Sequence, residues 1–284
     1  TLAAMPSEPG AGSGSAEAHL KDRLFIVTNA CSGPGLQAAR ELFTRGAWVV
    51  VTGTTQQEAQ SAVALLRGEA QSSSAAVGLA EGAALNPYDL DAVRAFAKAF
   101  KLRRKKLHGL VHCPVDDGSE SHQPVEFPAG VDRALAANHL APFLLTQLLL
   151  PLLINSGAAR IVLCASSGCA SGEVERLRGL CASDDGARKV RTPSAAEAAM
   201  MGGLGAVWGA LVHEGTRASL QAQCDSHLAV HLHACELHRR LSKHQLVPER
   251  VRVIVTPEPS SLAHCAAAEL PPALLRYSSK HRRA

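Results

Sequence analysis

Residues 24–35 read LFIVTNACSGPG, and this stretch decides the fold. Its apolar start, 24–28, predicts a short strand, and a helical pattern begins after the glycines Gly33 and Gly35. A glycine-rich turn between a strand and a helix presents backbone N–H groups and the positive end of the helix dipole. The stretch therefore indicates a strand–turn–helix unit with a turn of the kind that holds pyrophosphate.

The same alternation of apolar runs and helical patterns continues along the chain. Continuous apolar strands separated by helices are typical of a parallel sheet covered on both faces, so the sequence predicts an α/β doubly wound fold. Ligands of such folds bind at the carboxyl ends of the strands. Further strands are predicted at 48–51, 77–79, 110–113, 161–165 and 251–256, and helices at 58–67, 91–100, 132–154 and 222–241.

The chain of 284 residues is 46% hydrophobic and 19% charged, which fits one large domain over 21–284. The small, Gly/Ser-rich segment 1–20 predicts a disordered tail, and without arginine it does not resemble a transit peptide. Residues 168–221 are predicted to be an insertion into the alternating pattern. Near the C terminus a helix at 260–269 and an edge strand at 274–278 are expected.

Charge, hydropathy and cysteine content exclude several classes of protein. The net charge of +4 is too small to indicate nucleic acid binding by itself. The longest apolar run, 143–154, is interrupted and is shorter than the ~20 residues of a membrane span, so none is predicted. Eight cysteines without a CxxC pair favour an intracellular, reducing compartment, either cytoplasm or an organelle matrix such as that of the mitochondrion.

Later motifs connect the glycine-rich turn to a known family. They are Asn138-His139-Leu140 within NHLAPFLLT (138–146), Ala165-Ser166-Ser167, and ELHRRLS at 236–242. Together they resemble the short-chain dehydrogenase/reductase family, in particular its retinol dehydrogenase and WW-domain oxidoreductase branch, from about residue 23 to residue 277. The resemblance implies a Rossmann-type fold, a nicotinamide dinucleotide and an alcohol or carbonyl substrate.

The resemblance also implies a catalytic set of Ser, Tyr, Lys and Asn, of which this chain keeps Ser166 and Asn138. Counting back from 236–242 places Gln223 at the tyrosine position and His227 at the lysine position. Glutamine cannot ionise and so cannot be the acid/base that hydride transfer to a carbonyl needs. The chain has only two tyrosines, Tyr88 and Tyr277, so no local shift of the alignment restores the missing one.

The cofactor site departs from the family as well. Asn29 replaces the first glycine of the turn, Pro34 removes one N–H, and 112–115 (HCPV) replaces an Asn-Asn-Ala-Gly turn. The resemblance implies a substrate lid after the turn at 255–258, but the sequence goes on almost directly to the helix expected at 260–269, so the lid is expected to be missing. We therefore expect no bound cofactor; if one binds, the resemblance implies NADP or NAD. The residues that would contact it are Thr28, Ser32, Gly33, Gly35, Thr54 and Asn86, the last two of which replace family residues.

Some residues allow two interpretations. Ser166 and Asn138 are expected to be vestigial packing residues, with the asparagine bonding the backbone of the long helix, rather than residual catalysts. His227 or Cys224 is the alternative acid/base. The last long helix carries a stripe of cysteines and histidines, which is expected to be an interface stripe rather than a zinc site. Its members are Cys224, His227, His231, Cys235 and His238.

Three cysteines near the glycine-rich turn are expected to fill the pocket rather than to carry out redox chemistry. They are Cys31, Cys113 and Cys164.

The run from Lys101 to Lys106 (KLRRKK) is expected to be a solvated helix end, with RNA or anionic lipid as the alternative partner. For the whole chain, the sequence predicts a catalytically inactive pseudoenzyme kept as a structural or accessory subunit of a larger assembly. Its partners would be other protein subunits or itself, contacted through 168–221 and the N-terminal tail. Two alternatives remain: an NAD(P)-dependent oxidoreductase of lipid-like alcohols or carbonyls, and a non-catalytic dinucleotide sensor.

Overall fold

A computed structural model describes residues 20–71, 78–115, 131–182, 214–243 and 251–256 of the chain. Strands and helices alternate throughout these ranges. The strands are β1 (Leu24–Val27), β2 (Trp48–Gly53), β3 (Leu79–Ala84), β4 (Gly109–His112), β5 (Ala159–Cys164) and β6 (Val251–Thr256). The helices are α1 (Gly33–Thr44), α2 (Gln56–Gln71), α3 (Leu90–Arg103), α4 (Arg133–Leu135), α5 (Ala141–Asn155), α6 (Val174–Ala182) and α7 (Glu214–Lys243).

The six strands form one parallel sheet in the order β3-β2-β1-β4-β5-β6. The chain first builds outward from β1 to β3 and then returns to the other side of β1 with β4. This reversal is the switch point at which doubly wound folds bind ligands. The predicted fold class is confirmed.

Side chains from alternate positions of each strand enter two cores, one on each face of the sheet. On one face Phe25 and Val27 pack with residues of α1 and α2 such as Leu42 and Leu66. On the other face the core joins the central strands to α3, α5 and α7. Its fully buried members include Ile26, Leu110, Ile161, Leu145, Leu149 and Leu153.

Helix α5 is preceded by a π-helical turn, Ala136–Leu140, so that the helical segment runs from Arg133 to Asn155. With a mean hydropathy of 1.5 this segment has the length and composition of a membrane span, although the interrupted run 143–154 had predicted none. Length and composition do not distinguish a span from a core helix. Half of the most apolar window is buried inside the domain, where Leu149 and Leu153 are fully inaccessible.

Two sequence predictions need correction. The third strand is Leu79–Ala84 rather than 77–79, because its backbone pairs with all of β2 although Glu81 and Gly82 are poor strand formers. The insertion predicted at 168–221 includes parts of the folded body. A 3₁₀ turn (Ser167–Ser171) and α6 pack on α7, and α7 begins at Glu214. The approach is close at Gly172, where a Cβ atom would lie 2.8 Å from the Cys224 carbonyl oxygen.

Several predictions fall outside the described residues. These are the disordered tail (apart from residue 20), residues 183–213 of the insertion, the helix at 260–269, the strand at 274–278 and the missing lid after 258.

Candidate active site

The residues predicted to carry the site converge on the carboxyl edge of the sheet. Ser166 follows β5, Asn138 lies in the π-helical turn, and Gln223 and His227 lie one turn apart on α7. Thr28 and the glycine-rich turn follow β1, Thr54 follows β2, and Asn86 follows β3. The topology therefore brings the predicted set to one edge, as expected for a doubly wound fold.

The amide of Asn138 joins three segments at this edge. Its Oδ1 accepts a hydrogen bond from the backbone N–H of Val115 at 2.7 Å. Its Nδ2 group contacts Val115 O at 3.3 Å, Gln223 Oε1 at 3.1 Å and Ser226 Oγ at 3.2 Å. Asn138 is only 4% exposed. The prediction that Asn138 bonds the backbone of the long helix is therefore wrong. The π-helical turn directs its amide to the loop after β4 and to α7.

The glutamine at the tyrosine position is thus part of a structural network. Its side-chain oxygen accepts from Asn138, and its backbone oxygen accepts from Ser226 Oγ at 2.7 Å. An amide neither gains nor loses a proton to a useful extent near neutral pH, so Gln223 can orient a neighbour but cannot act as general acid or base.

His227 also acts as a hydrogen-bond acceptor. Its Nδ1 accepts from the backbone N–H of Ser166 at 3.3 Å, which requires that this nitrogen carry no proton. A lysine ammonium has no acceptor atom and could not make this contact. The imidazole is 7% exposed and holds the loop after β5 against α7.

A side chain of the glycine-rich turn, that of Asn29, bonds to the loop after β4. Asn29 adopts φ +49°, a left-handed conformation that asparagine tolerates, and its Nδ2 donates to Pro114 O at 2.6 Å. This bond links the end of β1 to the loop after β4, across the switch point. Gly35 lies tightly against the same turn, since a Cβ there would be 2.2 Å from Asn29 O. Gly33 has φ +50° with open space around it, and Ser32 begins α1 without a side-chain cap.

The space left at the carboxyl edge is small. A cavity of about 30 Å³ lies among Thr28, Asn29, Gly53 and Thr54 on one side and His112 and Val115 on the other. That is room for water, whereas ligand pockets are typically ~300 Å³ or larger. Cys31 and Asn86 add to the closure: Cys31 Sγ lies against Thr52 O at 3.6 Å, and Asn86 Oδ1 accepts from Tyr88 N. Side chains at the predicted cofactor edge thus bond to neighbouring parts of the chain in the described structure.

The cysteines near the turn behave as packing residues. Cys113 and Cys164 are buried in the core beneath the turn, together with Val27 and Val51. Burial, with Glu58 nearby, raises the pKa of the Cys31 thiol and so disfavours the reactive thiolate. Both observations favour pocket filling over redox chemistry.

The α7 stripe does not form a single surface. His227 is buried, His231 is half-buried, and Cys235 and His238 are exposed. Among the described residues, no group of three or more His, Cys, Asp or Glu side chains has the arrangement of a metal site.

A buried ion pair beside the site was not anticipated from the sequence. Asp225 Oδ2 accepts from Arg176 Nε at 2.6 Å, and Asp225 Oδ1 accepts from the Glu173 backbone N–H at 2.7 Å. The side chains of Arg176 and Asp225 are 15% and 6% exposed. The pair fastens α6 to α7, and its partners are too distant in sequence for any local pattern to indicate the contact.

Three histidines form a second unanticipated feature, below the cavity. His112 Nε2 lies 2.9 Å from Thr146 Oγ1, and the His139 and His233 rings meet edge to face with centroids 5.7 Å apart. Both ring nitrogens of His233 are buried without a hydrogen-bond partner in the described structure. Burial, assisted by His233, lowers the pKa of His112 to about 3 and that of His139 to about 4.

Comparison with known proteins identifies relatives of this chain. The model of the short chain dehydrogenase family matches residues 23–192. Bos taurus "Dehydrogenase/reductase SDR family member 13" is 33% identical over 57% of this chain and 40% of its own length. Homo sapiens "Retinol dehydrogenase 12" is 34% identical over 50% of this chain and 43% of its own length. Danio rerio "WW domain-containing oxidoreductase" is 35% identical over 52% of this chain and 34% of its own length. The chain thus matches less than half of the length of these curated relatives.

Solved structures share the fold. A metagenomic short-chain oxidoreductase in complex with NADP superposes with a TM-score of 0.56 at 21% identity, covering 89% of this chain and 91% of that one. A putative short chain dehydrogenase from Pseudomonas syringae gives 0.56 at 22% identity, covering 92% and 85%. The family and the branch predicted from the sequence are confirmed.

The buried histidines predict an acid-sensitive fold. Their folded pKa values lie below the ordinary 6.5, so the unfolded chain binds more protons as the pH falls below 6.5. Above pH 6.5 these histidines are neutral in both states and leave the unfolding free energy unchanged; as the pH falls from 6.5 toward 4, they lower it. At about pH 5.5 each such histidine lowers the unfolding free energy by on the order of 1 kcal/mol.

We therefore expect His112→Asn to reduce the loss of unfolding free energy between about pH 7.5 and about pH 5.5 by about 1 kcal/mol, measured by urea unfolding. His238→Asn, which changes an exposed histidine, is the control and should leave the loss unchanged. An equal pH dependence in wild type and His112→Asn would contradict the assignment.

Proposed function

Because the chain belongs to the short chain dehydrogenase family, we propose that it is a member that keeps the fold without the hydride-transfer chemistry. In this proposal it is a catalytically inactive protein that serves as a structural or accessory subunit of a larger assembly. Its partners are other protein subunits or a second copy of the chain.

One contact carries the proposal: the Asn138–Gln223 hydrogen bond of 3.1 Å. The family resemblance implies that Gln223 stands at the acid/base position, and this contact engages its non-ionisable amide in holding the fold. Removing a positioned acid/base typically costs about 10²–10⁴ in rate. The neighbouring His227 accepts through Nδ1 from the Ser166 backbone, so this ring nitrogen is used to hold the loop after β5.

The phosphate turn supports the same proposal. A side chain bridges it where the family has glycine, through the 2.6 Å bond from Asn29 to Pro114. Pro34 at the start of α1 offers no N–H. A bound dinucleotide supplies the hydride acceptor or donor in relatives of this fold; here the described residues at that place contact one another. A dinucleotide sensor would have to break the Asn29 bond.

The alternative is an NAD(P)-dependent oxidoreductase of lipid-like alcohols or carbonyls. The name of the retinol dehydrogenase relative supports it, and the retention of Ser166 and Asn138 is compatible with it. This alternative needs another acid/base, for which His227 and Cys224 are the candidates on α7. Burial, Asp225 and Cys169 raise the pKa of the Cys224 thiol, which disfavours its thiolate.

The first prediction from this proposal concerns turnover. Wild type, Ser166→Ala and Ser242→Ala are assayed with retinaldehyde and with a medium-chain aldehyde, using NADH and NADPH separately. We expect no oxidation of either nucleotide above the protein-free rate, because Gln223, at the predicted acid/base position, cannot donate the proton. Ser242 is exposed at the end of α7 and serves as the matched control. Turnover by wild type and Ser242→Ala that is lost in Ser166→Ala would establish the oxidoreductase instead.

The second prediction concerns assembly. Of the predicted contact segment, 168–182 and 214–221 belong to the folded body, and Arg176 in this region pairs with Asp225. The segment to delete is therefore 183–213, with a short Gly/Ser linker in its place. We expect the deletion to remove the native partners that co-purify with the tagged full chain, and thermal unfolding checks that the variant is folded. Unchanged co-purification would show that the contact surface lies elsewhere.

A further inference from the structure

The edge of the sheet opposite the site carries aligned cations. Arg160 on β5 is paired in register with Arg252 on β6, and both are exposed. The same register row continues through Gly109 to Phe25 on β1. Arg23 precedes Phe25 by two residues and therefore lies toward the same face. The amino-terminal ends of neighbouring strands thus present arginines side by side.

The end of α3 adds cations to this edge. The helix ends at Arg103, and Lys105 and Lys106 follow it fully exposed, before β4 begins. Arg103 and Arg104 pair with Glu81, and Arg104 also stacks over the Trp48 ring at 3.9 Å. In the run 101–106, which was predicted to be a solvated helix end, Arg103 and Arg104 are therefore held by Glu81. Lysines flank them on both sides in the sequence.

The two groups of cations meet at His108. Its Nδ1 accepts from the Leu24 N–H, next to Arg23, at 3.0 Å, and its backbone oxygen accepts from the Arg160 N–H at 3.0 Å. The pKa of His108 is lowered by burial and by the charges of Arg23 and Lys106. The pKa of Arg160 is lowered by burial and by Arg252 and Arg23. We call this surface the basic edge, consisting of Lys21, Arg23, Lys101, Lys105, Lys106, Arg160 and Arg252.

Like charges on neighbouring strands repel one another, so an anionic surface lying against the basic edge would lower its electrostatic energy. Asp22 lies between Lys21 and Arg23, and the sequence from 92 to 115 contains no Asp or Glu. The basic edge therefore fits an extended anionic partner rather than a single carboxylate.

An apolar side chain indicates which polyanion fits. Leu102 is 75% exposed at the end of α3, among the lysines and arginines of 101–106. Cations on a helix with an exposed apolar residue are typical of contact with anionic bilayers, where the charges meet headgroups and the apolar group enters the interface. Single-stranded nucleic acid is instead held by aromatic stacking as well as charge. Among the described residues of this edge, the Trp48 ring is covered by Arg104, and Phe25, in the register row of Arg160, is buried.

We propose that the basic edge binds the surface of an anionic phospholipid bilayer, with Leu102 entering the headgroup region. The carboxyl edge of the sheet then faces away from the membrane. This inference does not depend on whether the chain is an enzyme.

The test is co-sedimentation of the full chain with vesicles of phosphatidylcholine, with and without phosphatidylserine, at low and at physiological salt. We expect binding only to the phosphatidylserine vesicles, weakened by salt. The double variant Lys105→Glu/Lys106→Glu should bind about tenfold more weakly or worse, because each cation near an anionic surface contributes to binding. Leu102→Ser, which keeps every charge, should weaken binding severalfold.

The matched control is Arg94→Glu/Arg178→Glu, which makes the same change in net charge away from the basic edge. Both of these arginines are exposed and pair with exposed carboxylates. Thermal unfolding of each variant checks that it is folded. The proposal is overturned by equal binding to neutral vesicles, by an equal loss in the control variant, or by no binding at all. Tighter binding to single-stranded RNA than to the anionic vesicles, with the Leu102→Ser effect absent, would identify nucleic acid as the partner instead.

Discussion

The buried amide of Asn138 is the contact on which the carboxyl edge of the sheet depends. It bonds the backbone of Val115 in the loop after β4 and, across the cleft, Gln223 and Ser226 on α7. Removing this buried amide would therefore take hydrogen bonds from Val115, Gln223 and Ser226 at once. The π-helical turn that carries Asn138 interrupts a long apolar helix and so gives this one polar side chain its direction.

This network determines what the site can do. Asn29, Gln223 and His227 are polar side chains at positions where the family resemblance implies contact with cofactor or substrate. In this structure each bonds to another part of the chain: Asn29 to Pro114, Gln223 to Asn138, and His227 to the Ser166 backbone. Polar groups that satisfy one another stabilise the fold, and a ligand at the same place would have to compete with them. At the edge that serves as a binding cleft in doubly wound folds, these three side chains form internal hydrogen bonds in the described structure.

The sequence predicted most of the fold because its signals are local. Apolar runs such as 24–28 and 251–256, and the glycine-rich turn, each mark an element without knowledge of the rest. The third strand was misplaced because LAEGAA has little strand propensity, and it becomes a strand only by pairing with β2. In the site, the positions of Ser166, Asn138, Gln223 and His227 were predicted from motifs. Their bonding was not, since it depends on how α7 packs on the π-helical turn. The Arg176–Asp225 pair and the His139–His233 contact likewise join segments far apart in the chain.

The most direct test of this account is thermal unfolding with NADH and with NADPH, each at millimolar concentration. If internal hydrogen bonds close the carboxyl edge, neither nucleotide raises the melting temperature of the wild-type chain. A ligand present at a hundred times its dissociation constant would add about 2.7 kcal/mol to the unfolding free energy. A clear upward shift with either nucleotide would contradict the account, since it would mean that the Asn29 and Asn138 contacts give way to a bound dinucleotide.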